Sequence, residues 1–111
     1  MKKDNQAETA PAVDGATQKT ITLDTPIQRD GQTLDQVSVR KPKSGELRGV
    51  SLLDLAQLDV AALTEVIPRV TTPMITKAEV ANMDPADLMQ IGAQVAGFLA
   101  TKEAKAAYQS A

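Results

Sequence analysis

Between Lys19 and Arg40 the chain alternates apolar and polar residues, and after Pro42 it does not do so again. Ile21 and Leu23 fall on one face of an extended segment, with Thr20 and Thr22 on the other. Val37 and Val39 repeat the alternation on a return segment that also holds Leu34. Asp30-Gly31 sits between the two runs and is a two-residue turn signal. Asp24-Thr25-Pro26 interrupts the first run, since proline lacks a ladder donor and belongs at edges and strand ends; Ile27-Gln28-Arg29 can resume pairing. The pattern predicts a β-hairpin or small antiparallel sheet over about residues 19–40, apolar on one side only. Such a sheet needs a cover. Only the helical remainder can supply it, so the predicted class is α+β, an N-terminal hairpin packed against a small helical bundle.

The change of period falls at Lys41-Pro42-Lys43-Ser44-Gly45, where Pro42 removes a donor and holds Lys41 extended. Beyond it, helix starts can be read from capping residues. Ser51 has Asp54 three positions on, an imperfect capping box ahead of Leu52, Leu53 and Leu55. Asp59 precedes Val60, Leu63, Val66 and Ile67 at helical spacing, and Pro68 is expected to end or kink that helix. Two short helices are predicted here rather than one long one. Thr71-Thr72-Pro73 reads as a loop, and Thr76 with Glu79 forms a fuller capping box for a short helix through Met83. Asp84-Pro85 gives the clearest start, an acidic cap with proline at the first helical position and Asp87 in the first turn, where the helix dipole favours negative charge. The last helix should be the longest, with Leu88, Ile91, Val95, Phe98 and Leu99 on one face and Lys102 and Lys105 near its end. Helices are thus expected over about residues 51–108.

Residues 1–18 mix charged, small and turn-forming residues without period, so ordering them would bury too little apolar surface to offset its entropy cost. They are predicted to be a disordered N-terminal arm, leaving residues 19–111 as one domain. Phe98 and Tyr108 are the only aromatic residues, so the core must come from Leu, Val, Ile, Met and Ala. The chain has no cysteine and no histidine, which removes disulfides, thiolate nucleophiles, imidazole bases and the usual zinc sets. The 12 basic and 14 acidic residues leave a net charge of −2, which gives no general case for nucleic-acid binding. No apolar run approaches the roughly 18 residues of a membrane span, and no signal region follows Lys2-Lys3. A cytosolic protein with neither cofactor nor catalytic activity, and without nucleic acid or membrane among its partners, is the expectation.

Three groups of residues could nevertheless carry function. Asp84 and Asp87 are the one carboxylate pair to weigh as acid and base, but helix capping accounts for both. Arg40, Lys41, Lys43 and Arg48, with Glu46 among them, form a basic turn. A solvated turn is its first reading, a protein-contact surface its second, and a phosphate contact its third, because no interleaved aromatic residues are present for base stacking. The row Gly92, Ala96 and Ala100 allows close helix approach, within the chain before between copies. The stripe Leu88, Ile91, Val95, Phe98 and Leu99 is first a core face, part of which could serve a partner helix in so small a domain.

The block Arg40-Lys41-Pro42-Lys43-Ser44-Gly45-Glu46-Leu47-Arg48-Gly49, supported by Thr22 to Ile27, Asp59 to Pro68, Asp84-Pro85-Ala86-Asp87-Leu88 and Val95 to Leu99, resembles the E family of small tail assembly chaperones of contractile-tailed temperate phages. The likeness runs from about Thr20 to Tyr108. It implies a protein of the bacterial host cytoplasm, from an active phage or a prophage, that binds the tape measure protein and keeps it soluble during tail tube assembly. It implies absence from the mature virion. A longer form of the same chain made by translational frameshift is a further implied partner, with the tail tube protein as another candidate. The family brings no catalytic motif. The contacts to be tested are Arg40, Lys41, Lys43, Glu46 and Arg48 in the turn, the last-helix stripe, and the Leu52 to Ile67 region. The rival readings are a minor structural tail component and a small nucleic-acid-binding regulator.

Overall fold

A computed structural model of the chain describes residues 17–101. Strands β1 (Gln18–Arg29) and β2 (Gln32–Arg40) form the hairpin, and a 3₁₀ turn (Ser44–Leu47) follows. Helices α1 (Leu52–Ala56) and α2 (Val60–Val70), strand β3 (Thr71–Thr72), and helices α3 (Lys77–Ala81) and α4 (Pro85–Phe98) complete the order. The sheet is antiparallel in the order β1-β2-β3. Asp30 and Gly31 make the turn, with Gly31 at φ 69°, a backbone region that glycine enters without a Cβ penalty. The predicted α+β class is the one observed. The proposed arm lies mostly outside the described residues, as do Lys102, Lys105 and Tyr108.

The expected interruption at Asp24-Thr25-Pro26 does not end the strand. Thr22 pairs with Gln36 and Ile27 with Leu34, so residues 23–26 stand opposite Asp35 alone and bulge out of the ladder. The core face holds. Ile21, Leu23, Leu34, Val37 and Val39 are buried against Leu55, Leu63, Val66, Ile67, Val70, Ile75, Ile91, Val95 and Phe98.

Each predicted helix start is capped as its residues suggested. Ser51 Oγ accepts from Asp54 N at 3.2 Å, Asp59 Oδ2 from Ala62 N at 3.0 Å, and Asp84 Oδ1 from Ala86 N at 2.9 Å. Thr76 and Glu79 cap reciprocally at 3.1 and 2.9 Å. Two readings need correction. Pro68 neither ends nor breaks α2, which runs two residues further to Val70, because in the last turn the missing donor costs only one terminal hydrogen bond. Thr71-Thr72 is a strand rather than a loop, since Thr71 faces Val39 and Thr72 faces Ser38. The buried Thr71 hydroxyl donates to Ile67 O at 2.8 Å and accepts from Ile75 N at 3.1 Å, so it ties the end of α2 to the following segment.

Between α1 and α2, Leu58 adopts φ 62°, unusual for a residue with a Cβ. Its side chain packs beside Gly92 of α4, where an added Cβ would lie 2.8 Å from Leu63 Cδ1 and 3.2 Å from Leu58 Cδ2. The small-residue row is therefore used at Gly92 for internal packing.

Polar straps hold the hairpin to the helices. Asp87, fully buried, accepts Asp24 N at 2.7 Å and Thr25 N at 3.0 Å, while Asp84 Oδ2 accepts Thr25 Oγ1 at 2.7 Å. Capping thus accounts for Asp84 but not for Asp87, which serves the bulge instead. Arg29 forks onto Glu79 at 2.9 and 2.8 Å and donates to Met74 O at 2.6 Å. Arg40 forks onto Glu46 and donates to Arg69 O at 2.8 Å, and Arg69 in turn donates to Glu46 O at 2.8 Å and Arg48 O at 3.2 Å. The Arg40 guanidinium, with the Lys43 amide, lowers the Glu46 carboxyl to about 2. Arg29 lowers Glu79, and the Thr25 hydroxyl lowers Asp84.

Three outcomes are expected. Asp87→Asn keeps an acceptor for one of the two backbone N–H groups but turns an amide donor toward the other, and should cost about 2–3 kcal/mol, measured by urea unfolding followed by circular dichroism. Gly92→Val should cost about 2 kcal/mol through overpacking. By contrast Gly97→Ala, with nothing within 4 Å of the new Cβ, should gain roughly 0.5–1 kcal/mol in the same assay. The third concerns acid. Glu46, Glu79 and Asp84 have folded values below their unfolded ones, so their contribution is complete above about pH 5 and is lost as pH falls through the folded values, about 2 for Glu46. Glu46→Gln should lower stability at neutral pH and flatten the decline between pH 4 and 2, in a urea series run across pH.

Candidate functional site

The basic turn and the end of α4 converge on one surface groove of about 600 Å³. One wall comes from Lys41, Pro42, Ser44 and Leu47, a second from Leu52, Leu53 and Ala56 of α1, and the third from Phe98 through Thr101. Pro42 and Leu47 are buried, and they seat the 3₁₀ turn against the core while Lys41 stays exposed. On α1, three leucines within four positions cannot share one face of a five-residue helix. Leu55 points inward and is fully buried, leaving Leu52 at 58% and Leu53 at 66% exposure. Full burial of such a side chain is worth about 1.5–3 kcal/mol, so this wall forgoes stabilisation that a bound apolar surface would restore.

The predicted contact residues divide sharply. Lys41 lines the groove, while Lys43 and Arg48 are exposed in the adjoining turn. Arg40 and Glu46 are engaged with each other, and Glu46 also accepts Lys43 N at 2.9 Å, so this pair braces the turn rather than presenting charge outward. In the α4 stripe, Ile91 and Val95 are fully buried and Phe98 is nearly so. Leu88 and Leu99 are half-buried and packed on the core. Ile91 and Val95 cover the sheet, and no partner reaches them with the core closed. From the stripe, Phe98 and Leu99 alone line the groove. In the Leu52 to Ile67 region, Leu63, Val66 and Ile67 are likewise core, while Leu52, Leu53 and Val60 are exposed.

Arg69 was not among the expected residues, and nothing in its sequence neighbourhood marks it. It matters because its guanidinium holds the carbonyls of Glu46 in the 3₁₀ turn and of Arg48 just after it, and so fixes one wall of the groove. Asp84 and Asp87 lie elsewhere. Asp84 borders a smaller cavity of about 260 Å³ between the β1 bulge and α3. Both carboxylates are engaged in the caps and straps described above. Among the described residues, no three His, Cys, Asp or Glu side chains come together to hold a metal ion, and no helix is long and apolar enough to cross a membrane.

Comparison with known proteins places this arrangement. Residues 20–100, nearly the whole described domain, match the family described as phage tail assembly chaperone proteins, E, or 41 or 14. Tail assembly protein E of Escherichia phage P2 is 48% identical over 79 residues, covering 71% of this chain and 87% of that protein. Tail assembly protein E' of the same phage is 48% identical over 79 residues, again 71% of this chain but 56% of that longer relative. No solved structure matches the chain. The resemblance carried by the turn block and the Asp84-Pro85 start is therefore borne out, and the chain belongs to the E family of phage tail assembly chaperones, with a role in tail assembly.

Proposed function

We propose that this protein binds the tape measure protein through the groove between the 3₁₀ turn, α1 and the end of α4, and keeps it soluble while the tail tube forms. The observation that carries the reading is the pair Leu52 and Leu53, left in water beside Phe98 and Leu99. An amphipathic helix laid into such a groove buries its apolar stripe against these side chains. Lys41 in the wall and Lys43 and Arg48 nearby favour a stripe flanked by acidic residues, with Arg40 and Glu46 supporting the wall from behind. The residues needed are apolar and cationic, as suits a holding function rather than catalysis. In this reading the protein acts in the cytoplasm of the bacterial host and leaves before the virion is complete. A longer frameshifted form would carry the same domain, in keeping with the longer relative, and the tail tube protein is a further contact.

Co-expression tests the reading. The tape measure protein should remain in the soluble fraction with this chain and fall by at least severalfold without it; equal solubility in both would end the proposal. Leu52→Asp with Leu53→Asp should keep the fold, because exposed positions rarely change stability by more than about 0.5 kcal/mol, yet abolish the solubilising effect. Mass spectrometry of purified particles should find the chain absent, whereas stoichiometric presence would favour a structural tail component.

A further inference from the structure

Among the described residues the sheet ends at β1. Lys41 N donates to Thr17 O at 2.7 Å, and the register from Gln18↔Arg40 to Thr22↔Gln36 then fixes the direction of each peptide group. Lys19 and Ile21 turn their amides and carbonyls toward β2, while Gln18, Thr20 and Thr22 turn theirs outward. Sheet edges are normally blunted by proline, bulges or inward charges. At residues 23–26 the bulge, Pro26 and the Asp87 carboxylate use up the edge. Residues 18–22 contain neither proline nor bulge, and their one charge, Lys19, lies on the face of Ile21.

We infer that this edge pairs with the same edge of a second copy, antiparallel and centred on Thr20. Only that register places Gln18 opposite Thr22, Thr20 opposite Thr20, and Thr22 opposite Gln18, so that all outward groups of both strands are matched in six N–H···O bonds. The side chains agree with it. On the solvent face, Gln and Thr meet Thr and Gln, and on the other face Lys19 meets Ile21 of the second copy, so no like charges stand opposed. The result is a two-fold interface in which one patch meets itself, joining two three-stranded sheets into one of six. A contact of five residues per strand lies below the area of a stable standard interface, so the dimer is a reversible one whose population rises with concentration. None of the groove residues lies on this edge, so the inference does not depend on the proposed function.

Sedimentation equilibrium of the full chain should show a monomer–dimer equilibrium. Thr20→Pro is the selective variant: the lost N–H points outward, so no bond to β2 is removed, and proline is tolerated at strand edges. It should weaken dimerisation by at least tenfold while leaving the circular dichroism spectrum unchanged. A wild-type chain that stays monomeric at all concentrations, or a Thr20→Pro chain that dimerises as well as wild type, overturns the inference. A spin label on Thr20→Cys gives an independent reading, because the chain has no other cysteine. Labels at this position should show dipolar broadening that labels on Asp35→Cys do not; equal spectra at the two positions would also overturn it.

Discussion

Two backbone amides in the middle of a strand are taken out of the sheet and given to one carboxylate. Asp87 accepts Asp24 N and Thr25 N from the third position of α4, with neither oxygen exposed to water. Much of the remaining structure depends on this exchange. The sequence Asp24-Thr25-Pro26 cannot run through a ladder, yet the strand must continue to reach the turn at Gly31. A bulge resolves the conflict, but it strands polar groups at the boundary of a core, where each unsatisfied amide costs about 1–3 kcal/mol. The N-terminus of α4 supplies the missing acceptors, and in doing so fixes where that helix crosses the sheet. Once α4 is placed, Ile91 and Val95 fall over the apolar face, and Gly92 is brought up to Leu58 and Leu63.

Helix α4 is fourteen residues long, roughly 21 Å at 1.5 Å per residue, and its two ends serve different purposes. The first end is polar and locked, by Asp84 and Asp87 to the bulge. The second is apolar and open, where Phe98 and Leu99 enter the groove. The opposite wall of the groove is held by a separate device, the mutual brace of Arg40, Glu46 and Arg69, in which each arginine reaches a carbonyl from another part of the chain. A brace that remains half exposed is weak in isolation. Its value lies in shape, because it keeps the 3₁₀ turn closed so that Lys41 and Leu47 line a groove rather than a loop.

Much of this plan could be read from the residues. Ser51, Asp59, Thr76 and Asp84 each mark a helix start through a local hydrogen bond to the next turn, and local chemistry survives without knowledge of the tertiary fold. The alternation of Ile21, Leu23, Val37 and Val39 shows the core face for the same reason. What could not be read depends on contacts distant in sequence. Asp87 looks like a helix-dipole residue until the bulge, over sixty positions away, is placed beside it. Thr71-Thr72 becomes a strand only because β2 offers Ser38 and Val39 as partners. In the candidate site, Lys41 and Leu99 were legible as surface and end-of-helix residues, but Ile91 and Val95 belong to the same stripe and are consumed by the core. An apolar stripe tells which side of a helix is apolar, and not how much of it the domain will cover.

That distinction bears on how so small a domain can hold a partner and still fold. With Phe98 the one aromatic side chain in the described core, the interior has few large anchors and must close over the sheet with aliphatic residues. Spending the whole α4 stripe on a partner would leave the hairpin face uncovered and the protein unfolded when free. The fold instead divides the apolar residues by position. Those over the sheet, from Ile91 to Val95, are committed to the core, while Leu52 and Leu53 lie on the far side of Leu55, where their exposure leaves the sheet covered. A surface arranged in this way can be occupied and vacated without disturbing Asp87 and the bulge, because the groove and the clamp stand at opposite ends of the same helix.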